Sequence, residues 1–541
     1  MDAIRITNLR SLKDTGTIKI KPISILVGTN SSGKSTFLRT FPLLKQSIET
    51  ATESPILWFG RYVDFGTIDS AKNITTPEAS IDFEFSLTIP KGRRGIARSS
   101  MVTSTNELIV AFEPAEPIPT KVKIELVHSR RRQGSRIGGC RIDLLGCTLS
   151  LKFNEENQAI EFKTNSFDAL KTRPNINISE TAYLIPSLSV QTKNETSTGP
   201  QVVYRPYELT HHIPIGARRR LRGSLFALPI AKDIQEILPG NLPTQEAVNI
   251  AKQLQLGGPQ SIKEQLKLLH NNPSWQKQVD KLPTDSPLIT RIIEKVIADS
   301  AISILRIADE MIADFAARVS YMGPFRATAE RFYRAQDLSV REIDFRGENL
   351  AMFLRSLSRH EQKLLSEFTK KHFNFEVAGR VEGGHVEIQI LEENSKKAIN
   401  LADTGFGYSQ MLPLIAQVWS TFSRTDLYER TLPSRLLAIE QPELHLHPAH
   451  QAKLADMLVG ATQSARKLGT SIKTIIETHS ENLINRMGTL IADKEITPED
   501  VQIIIFEQDR HSRQTEVHLA GYDSDGNLLN WPFGFFSPIP S

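Results

Sequence analysis

One octapeptide constrains this chain more than any other feature: Gly28-Thr29-Asn30-Ser31-Ser32-Gly33-Lys34-Ser35. It follows Ile23-Ser24-Ile25-Leu26-Val27, a short and mostly β-branched run that reads as a buried strand, and it opens a helical pattern from Ser35 to about Ile48. Strand, glycine-rich loop and helix is the context in which such a loop cradles phosphates. The glycines let backbone N–H groups curl around an anion, and the helix N-terminus adds roughly half a positive charge. An ordinary glycine-rich turn would not need the lysine and serine that close the motif. Gly28, Asn30, Ser31, Ser32, Gly33, Lys34, Ser35 and Thr36 are therefore expected to bind the phosphates of a nucleotide, with Lys34 reaching the β/γ-phosphates and Ser35 ligating Mg²⁺.

Three later segments carry related chemistry. Leu436-Leu437-Ala438-Ile439 precedes Glu440-Gln441-Pro442-Glu443, so an acid stands at the C-terminal end of a buried strand, where ligands of open α/β sheets gather. Glu440 is expected to hold Mg²⁺, directly or through water, opposite Ser35. Asp403-Thr404-Gly405-Phe406-Gly407-Tyr408-Ser409-Gln410 opens a helix over 411–419 and makes a second anion-binding N-terminus through Gly405, Gly407 and Ser409. One chain cannot easily bring two such helices to one γ-phosphate, so this second helix is expected to serve a nucleotide held mainly by another protomer. Finally, Ile475-Ile476-Glu477-Thr478-His479-Ser480 places His479 just past a strand, as a γ-phosphate contact.

Composition bounds what surrounds these motifs. The 541 residues leave room for three or four domain-sized units. Lys plus Arg is 65 and Asp plus Glu is 61, so the balance of +4 neither demands nor excludes nucleic acid. A phosphate-binding surface could still be local, and Arg130, Arg131, Arg132 with Arg218, Arg219, Arg220 are the clusters that offer one; solvated loops are the alternative. Two cysteines, Cys140 and Cys147, cannot complete a zinc cage or a disulfide framework, which fits a reducing cytoplasmic location. No apolar stretch approaches the ~20 residues that span a bilayer, and the start lacks the apolar region of a signal peptide.

The pattern along the chain predicts an α/β fold: a core with a phosphate loop, split by a long β-rich and helical insertion. Residues 1–90 and 321–541 alternate strand and helix and carry the motifs. Residues 91–205 read as hairpins and loops, and 206–320 as helices.

Together these residues resemble the ATP-binding-cassette ATPases of the structural-maintenance, RecF and overcoming-lysogenization-defect type. The opening strand Ile4 to Ser11 resembles theirs, Gly28 to Thr36 their Walker A, Asp403 to Gln410 their signature motif, Leu436 to Pro448 their Walker B and D-loop, and Thr478-His479-Ser480 their switch histidine. The resemblance implies ATP and Mg²⁺ as cofactors, nucleotide-dependent dimers or higher homo-oligomers, and ATP hydrolysis. Tyr321-Met322-Gly323-Pro324-Phe325-Arg326, Gly347-Glu348-Asn349, Asp523-Ser524-Asp525-Gly526-Asn527 and Trp531 to Phe536 are similar to the ATPases of Septu and retron-associated Septu anti-phage systems. That subgroup implies control of an HNH nuclease, PtuB, and in retron versions a reverse transcriptase with its RNA–DNA hybrid.

Departures matter too. Gln441 stands where the resemblance implies a water-polarising glutamate, so hydrolysis is expected to be slow, or Glu443 to act in its place. The region Arg61 to Gly66 offers no glutamine-loop residue beyond Asp64. Asp523 and Asp525 read as a hairpin turn rather than as nuclease ligands, and His445, His447 and His450 as structural or protomer contacts rather than a zinc set. A RecF-like DNA-repair ATPase and a stand-alone ATP-dependent nuclease are the alternative functions.

Overall fold

The computed structural model describes residues 1–77, 79–91, 114–131, 134–172, 176–178, 181–185, 188–190, 203–204, 224–238, 240, 242–393, 395, 397–423, 435–509 and 514–532. Arg132, Arg218, Arg219, Arg220 and the segment from Phe533 to Phe536 lie outside the described residues.

The chain forms two compact units. One comprises Met1–Leu9, Gln46–Gly60 and Asp64–Ala317; the other comprises Arg10–Lys45, Arg61–Val63 and Arg318–Ser541. The second unit is thus assembled from segments between which the chain departs after Val63 and returns at Arg318.

The second unit is built on a sheet whose strands run in the lateral order Val319–Met322, Arg435–Glu440, Ile472–Glu477, Ile23–Gly28, Val501–Gln508, Thr515–Tyr522, Leu528–Leu529. The first five pair in parallel and the last two are antiparallel. Continuous apolar runs explain the parallel part: Ile23–Gly28 is buried at every position, and Ile472–Glu477 at every position but Lys473. Strands covered on both faces by helices take this composition rather than alternation. The connecting helices start where local chemistry dictates. Ser358 caps Arg359–Phe373 in a capping box with Glu361, Pro448 opens Pro448–Lys467 after the His447 cap, and the Ser480 hydroxyl caps Glu481–Ala492. A smaller antiparallel sheet, with Phe375–Glu382 and Tyr333–Arg334 on either side of His385–Glu392 and Ile399–Asn400 also paired with that central strand, shares the apolar core of this unit.

The first unit pairs Ala3–Leu9, Ile81–Ile89, Ile118–His128, Ser135–Leu144, Cys147–Phe153 and Ala159–Lys163 in antiparallel succession. Ile118–His128 alternates buried and open residues, the mark of a sheet with one face on a core. Helices Ala227–Ile237, Thr244–Gln253, Pro259–Leu269 and Pro273–Lys281 follow, then one 31-residue helix, Pro287–Ala317. Three acids buried in that long helix each hold a loop. Glu294 accepts from Ser166 N (2.7 Å) and the Thr164 hydroxyl (3.0 Å), and Asp299 from Phe226 N (2.9 Å). Asp309 accepts from the consecutive N–H groups of Tyr183, Leu184 and Ile185 at 2.8, 2.7 and 2.6 Å. Among the described residues, no helix is long and apolar enough to cross a membrane.

Candidate nucleotide site

The glycine loop lies at the carboxyl end of the Ile23–Gly28 strand, and its two glycines are obligatory. Gly28 has φ +149°, and a Cβ there would sit 2.2 Å from the Phe506 carbonyl oxygen; Gly33 has φ +100°, and its Cβ would meet Leu12 Cδ2 at 2.6 Å. Ser31 adopts φ 64°, so the loop curls through a left-handed turn. The Thr515 hydroxyl fastens it by donating to Ser32 O at 2.8 Å. Lys34 begins the helix Lys34–Glu49, and its ammonium donates to Gly28 O (3.0 Å) and Thr29 O (2.8 Å). Burial pushes its pKa below the ordinary lysine range, opposed by the carboxylates of Glu477 and Glu443. Asn30 and Ser31 are exposed at the loop tip, while Ser32 is buried.

Three acids gather on this loop. Glu440 and Glu477 are register partners at the carboxyl ends of adjacent parallel strands. Glu440 is fully engaged: Arg39 Nε donates to Oε1 and Nη2 to Oε2, both at 2.7 Å, and the Tyr321 hydroxyl donates to Oε1 at 2.8 Å. Tyr321 is itself set by stacking on Phe345, ring centroids 6.1 Å apart. Burial first, then the Glu440 charge, pushes the Tyr321 phenol up.

Glu477 is only half engaged. The Ser35 hydroxyl donates to its Oε1 at 2.8 Å, and its buried Oε2 has no hydrogen-bond partner among the described residues. Burial, with the neighbouring Glu440 charge, pushes its carboxyl up to about 7 against the Ser35 bond and the Lys34 charge. Glu443 shows the same pattern, with Oε1 accepting from His479 N at 2.7 Å and Oε2 without a partner. Burial raises its pKa, while the His479 N–H and the Arg326 charge hold it down.

Arg326 completes the cluster. Its side chain is buried, with Nη2 3.5 Å from Glu440 O and with Nε and Nη1 lacking hydrogen-bond partners among the described residues. Burial lowers its guanidinium to about 10, opposed by Glu443. His479, just beyond the Ile472–Glu477 strand, has its imidazole pushed below the ordinary histidine range by burial and by Lys34.

Of the acids that end these strands, it is Glu477 and not Glu440 that accepts from the Ser35 hydroxyl. The reason is lateral order, because the strand bearing Glu477 lies next to Ile23–Gly28 whereas the strand bearing Glu440 is one further out. Sequence reasoning gave no role to Glu477, Arg39, Tyr321 or Arg326. Two signals were available: Glu477 is an acid ending an apolar strand, and Arg39 follows Ser35 by one helical turn.

The remaining predicted residues fall nearby. Gln441 has φ 41° and donates its N–H to Glu477 O at 2.8 Å, which turns the chain sharply after the acid strand. Gly405 precedes the helix Phe406–Ser423 and Gly407 lies in its first turn, where a Cβ would come to 3.4 Å from His445 O; the Ser409 hydroxyl donates to Phe406 O at 2.8 Å. Gln410 ties that helix to the cluster by donating to Arg326 O at 3.1 Å. His445 packs edge-on against Phe406, His447 caps its helix, and His450 packs beside Phe373 and Tyr408. Among the described residues no group of three His, Cys, Asp or Glu could hold a metal ion.

Outside the cluster, Asp64 Oδ1 accepts from Gly66 N at 2.8 Å, which places this carboxylate in a turn. Asp523 accepts from the N–H groups of Asp525 (2.9 Å) and Asn527 (2.8 Å), closing the hairpin before Leu528–Leu529. Arg131 is bonded to Glu156, and Arg136 pairs with Glu155 at 3.1 Å, whereas Arg130 is exposed.

A family model described as "AAA ATPase domain" matches residues 1–484. No curated protein matches the chain. Among solved structures, the Smc head domain with an extended coiled coil, bound to the C-terminal domain of ScpA, from Pyrococcus furiosus is similar at 11% identity over 96% of each chain, with a TM-score of 0.30. The SMC head domain from Thermotoga maritima is similar at 10% identity over 96% of this chain and 97% of that one, with a TM-score of 0.32. These likenesses are too distant to bear on activity.

Proposed function

The chain belongs to the AAA ATPase domain family, and from that premise we propose that it binds ATP with Mg²⁺ at the Gly28–Thr36 loop and hydrolyses it with Glu443 as the base. One observation carries this reading: Lys34 and Ser35, presented by a glycine loop, meet the buried acids Glu477 and Glu443, and Glu440 ends the adjacent strand of the same parallel sheet.

The residues divide the work by what they touch. Backbone N–H groups of the loop and the helix start receive the phosphates, and Lys34 exchanges its carbonyl partners for phosphate oxygens. The hard oxygens of Ser35 and of a carboxylate with an unpartnered oxygen fit Mg²⁺, and the chemistry supplied by the bound ion is neutralisation of charge on the β- and γ-phosphate oxygens. Glu443 has a free, buried oxygen and orients through His479 N, so it can take the proton of a water attacking the γ-phosphorus. As that O–P bond forms, the bond to the β-bridging oxygen breaks, leaving ADP and phosphate. Gln441, with an amide in place of a carboxylate, orients that water without accepting its proton, which leaves the base's role to Glu443. Gly405, Gly407 and Ser409 serve the nucleotide of a second copy, making the active form a homodimer or larger.

At the level of the cell, the reading is a cytoplasmic PtuA-like defence ATPase whose nucleotide state controls an HNH nuclease, with a reverse transcriptase and RNA–DNA hybrid in retron versions. The residues resembling the Septu ATPases support it. In this reading residues 1–90 and 321–541 make the ATPase head, while 91–205 and 206–320 form the insertion that meets the partner, including its arginine clusters. Copurification from the native operon tests it: recovery of a nuclease subunit supports the reading, and plasmid cleavage by the purified chain alone with Mg²⁺ sinks it. For the site itself, Lys34→Ala abolishes binding of a fluorescent ATP analogue, and retained tight binding contradicts the assignment.

A further inference from the structure

Glu440, the acid at the end of the apolar strand after which Gln441 follows, is the residue a sequence would nominate to hold the metal. The geometry points elsewhere. Both Glu440 oxygens are occupied by the forked Arg39 pair at 2.7 Å, and Oε1 also takes the Tyr321 hydroxyl, so a metal ion would have to displace a bidentate cation. Glu477 is 2% exposed, with one oxygen on the Ser35 hydroxyl and the other unpartnered. A buried carboxylate oxygen without a donor is costly and marks a place where a ligand completes the site.

We propose that Glu477, with the Ser35 hydroxyl, is the carboxylate that holds the nucleotide-bound Mg²⁺, and that Glu440 is a positioning residue that locks Arg39 and the phosphate-loop helix. The proposal rests on the ATP-binding reading above. It explains why two acids end neighbouring strands without repelling each other out of the site: Arg39 neutralises one and the divalent ion the other. It also accounts for the lack, among the described residues, of any three-ligand protein cage. Mg²⁺ is usually held by one or two carboxylates together with phosphate oxygens and waters, so here the metal arrives with the nucleotide.

Mn²⁺ titration of the full chain, followed by loss of the free-ion electron paramagnetic resonance signal with ADP present, tests this. A fluorescent ADP analogue in EDTA measures nucleotide binding separately. Glu477→Gln keeps the acceptor for Ser35 and removes the charge. It is expected to bind the analogue as the wild type does and to lose at least about tenfold in Mn²⁺ affinity. Glu440→Gln is expected to stay within about threefold for Mn²⁺. Glu477→Asp, which shortens the arm and keeps the charge, should fall between, and it decides the matter where the glutamine variant does not fold. Unchanged Mn²⁺ affinity in Glu477→Gln or, failing that, in Glu477→Asp overturns the proposal, as does a larger loss in Glu440→Gln. Wild-type protein that binds no analogue at all overturns the ATP-site reading itself, a result distinct from the metal-specific loss.

Discussion

Arg39 grips Glu440 through two parallel bonds of 2.7 Å, joining the helix that follows the glycine loop to the end of a strand 401 residues further along the chain. Glu440 is 2% exposed and Arg39 about a third open, so removing the arginine would leave a buried carboxylate with the Tyr321 hydroxyl as its remaining side-chain donor among the described residues. Breaking one side of a buried pair costs about 3–5 kcal/mol, reduced here to roughly 2–3 because Arg39 retains solvent. Arg39→Ala should therefore lower the midpoint of urea unfolding. Arg39→Lys, which supplies a point charge without the fork, should recover only part of the loss.

Glu443 and Gln441 separate cleanly in a single-turnover assay. Glu443→Gln should slow phosphate release by about 10²–10⁴-fold, the usual contribution of a positioned base, with nucleotide affinity little changed. Gln441→Glu should alter the rate by less than about threefold if Glu443 is the base. A large gain in that variant, with no effect of Glu443→Gln, would move the base to position 441.

Asp309 links stability to pH. Burial pushes its carboxyl up to about 6 from an ordinary 3.8, against three backbone N–H donors. The folded state then holds the proton at pH values where the unfolded chain has released it. Its contribution is fully present below pH 3.8 and is lost as pH rises through about 6. Urea melts across that window should show stability falling with pH by more in the wild type than in Asp309→Asn, whose side chain does not titrate. Asp309→Ala should cost several kcal/mol, since each buried N–H left unpaired costs about 1–3 kcal/mol.

Cys140 and Cys147 are both buried, and burial pushes their thiols up to about 12 and about 11. Thiolate is the reactive form, so neither should react with a thiol reagent in the native protein at pH 8, while both should react in denaturant. Rapid native labelling would show that this sheet opens.

Much of the fold was legible where the signal is local. The helix Lys34–Glu49 differs from the Ser35-to-Ile48 pattern by a residue at each end, and His479 falls just past the strand Ile472–Glu477. Within 206–320, read as helices, lies one helix of 31 residues, whose buried acids no local pattern announces. The Asp523 turn was readable because aspartate bonds the N–H groups that follow it. Arg326 was quoted only as part of a family-like string, since nothing local says that an arginine will be buried with open N–H groups.

By itself, the sequence determined that a glycine loop joins a buried strand to a helix here. Glycine conformation, apolar runs and helix caps are properties of a few adjacent residues, and they act before any long-range contact forms. Tertiary structure decided which acid meets which partner. Glu440 and Glu477 end similar strands, and only the lateral order of the sheet puts Glu477 beside the strand leading to Ser35 and leaves Glu440 to Arg39 and Tyr321. That order is set by the packing of helices from distant parts of the chain, so the 2.8 Å bond from Ser35 to Glu477, spanning 442 residues, has no counterpart in any local pattern.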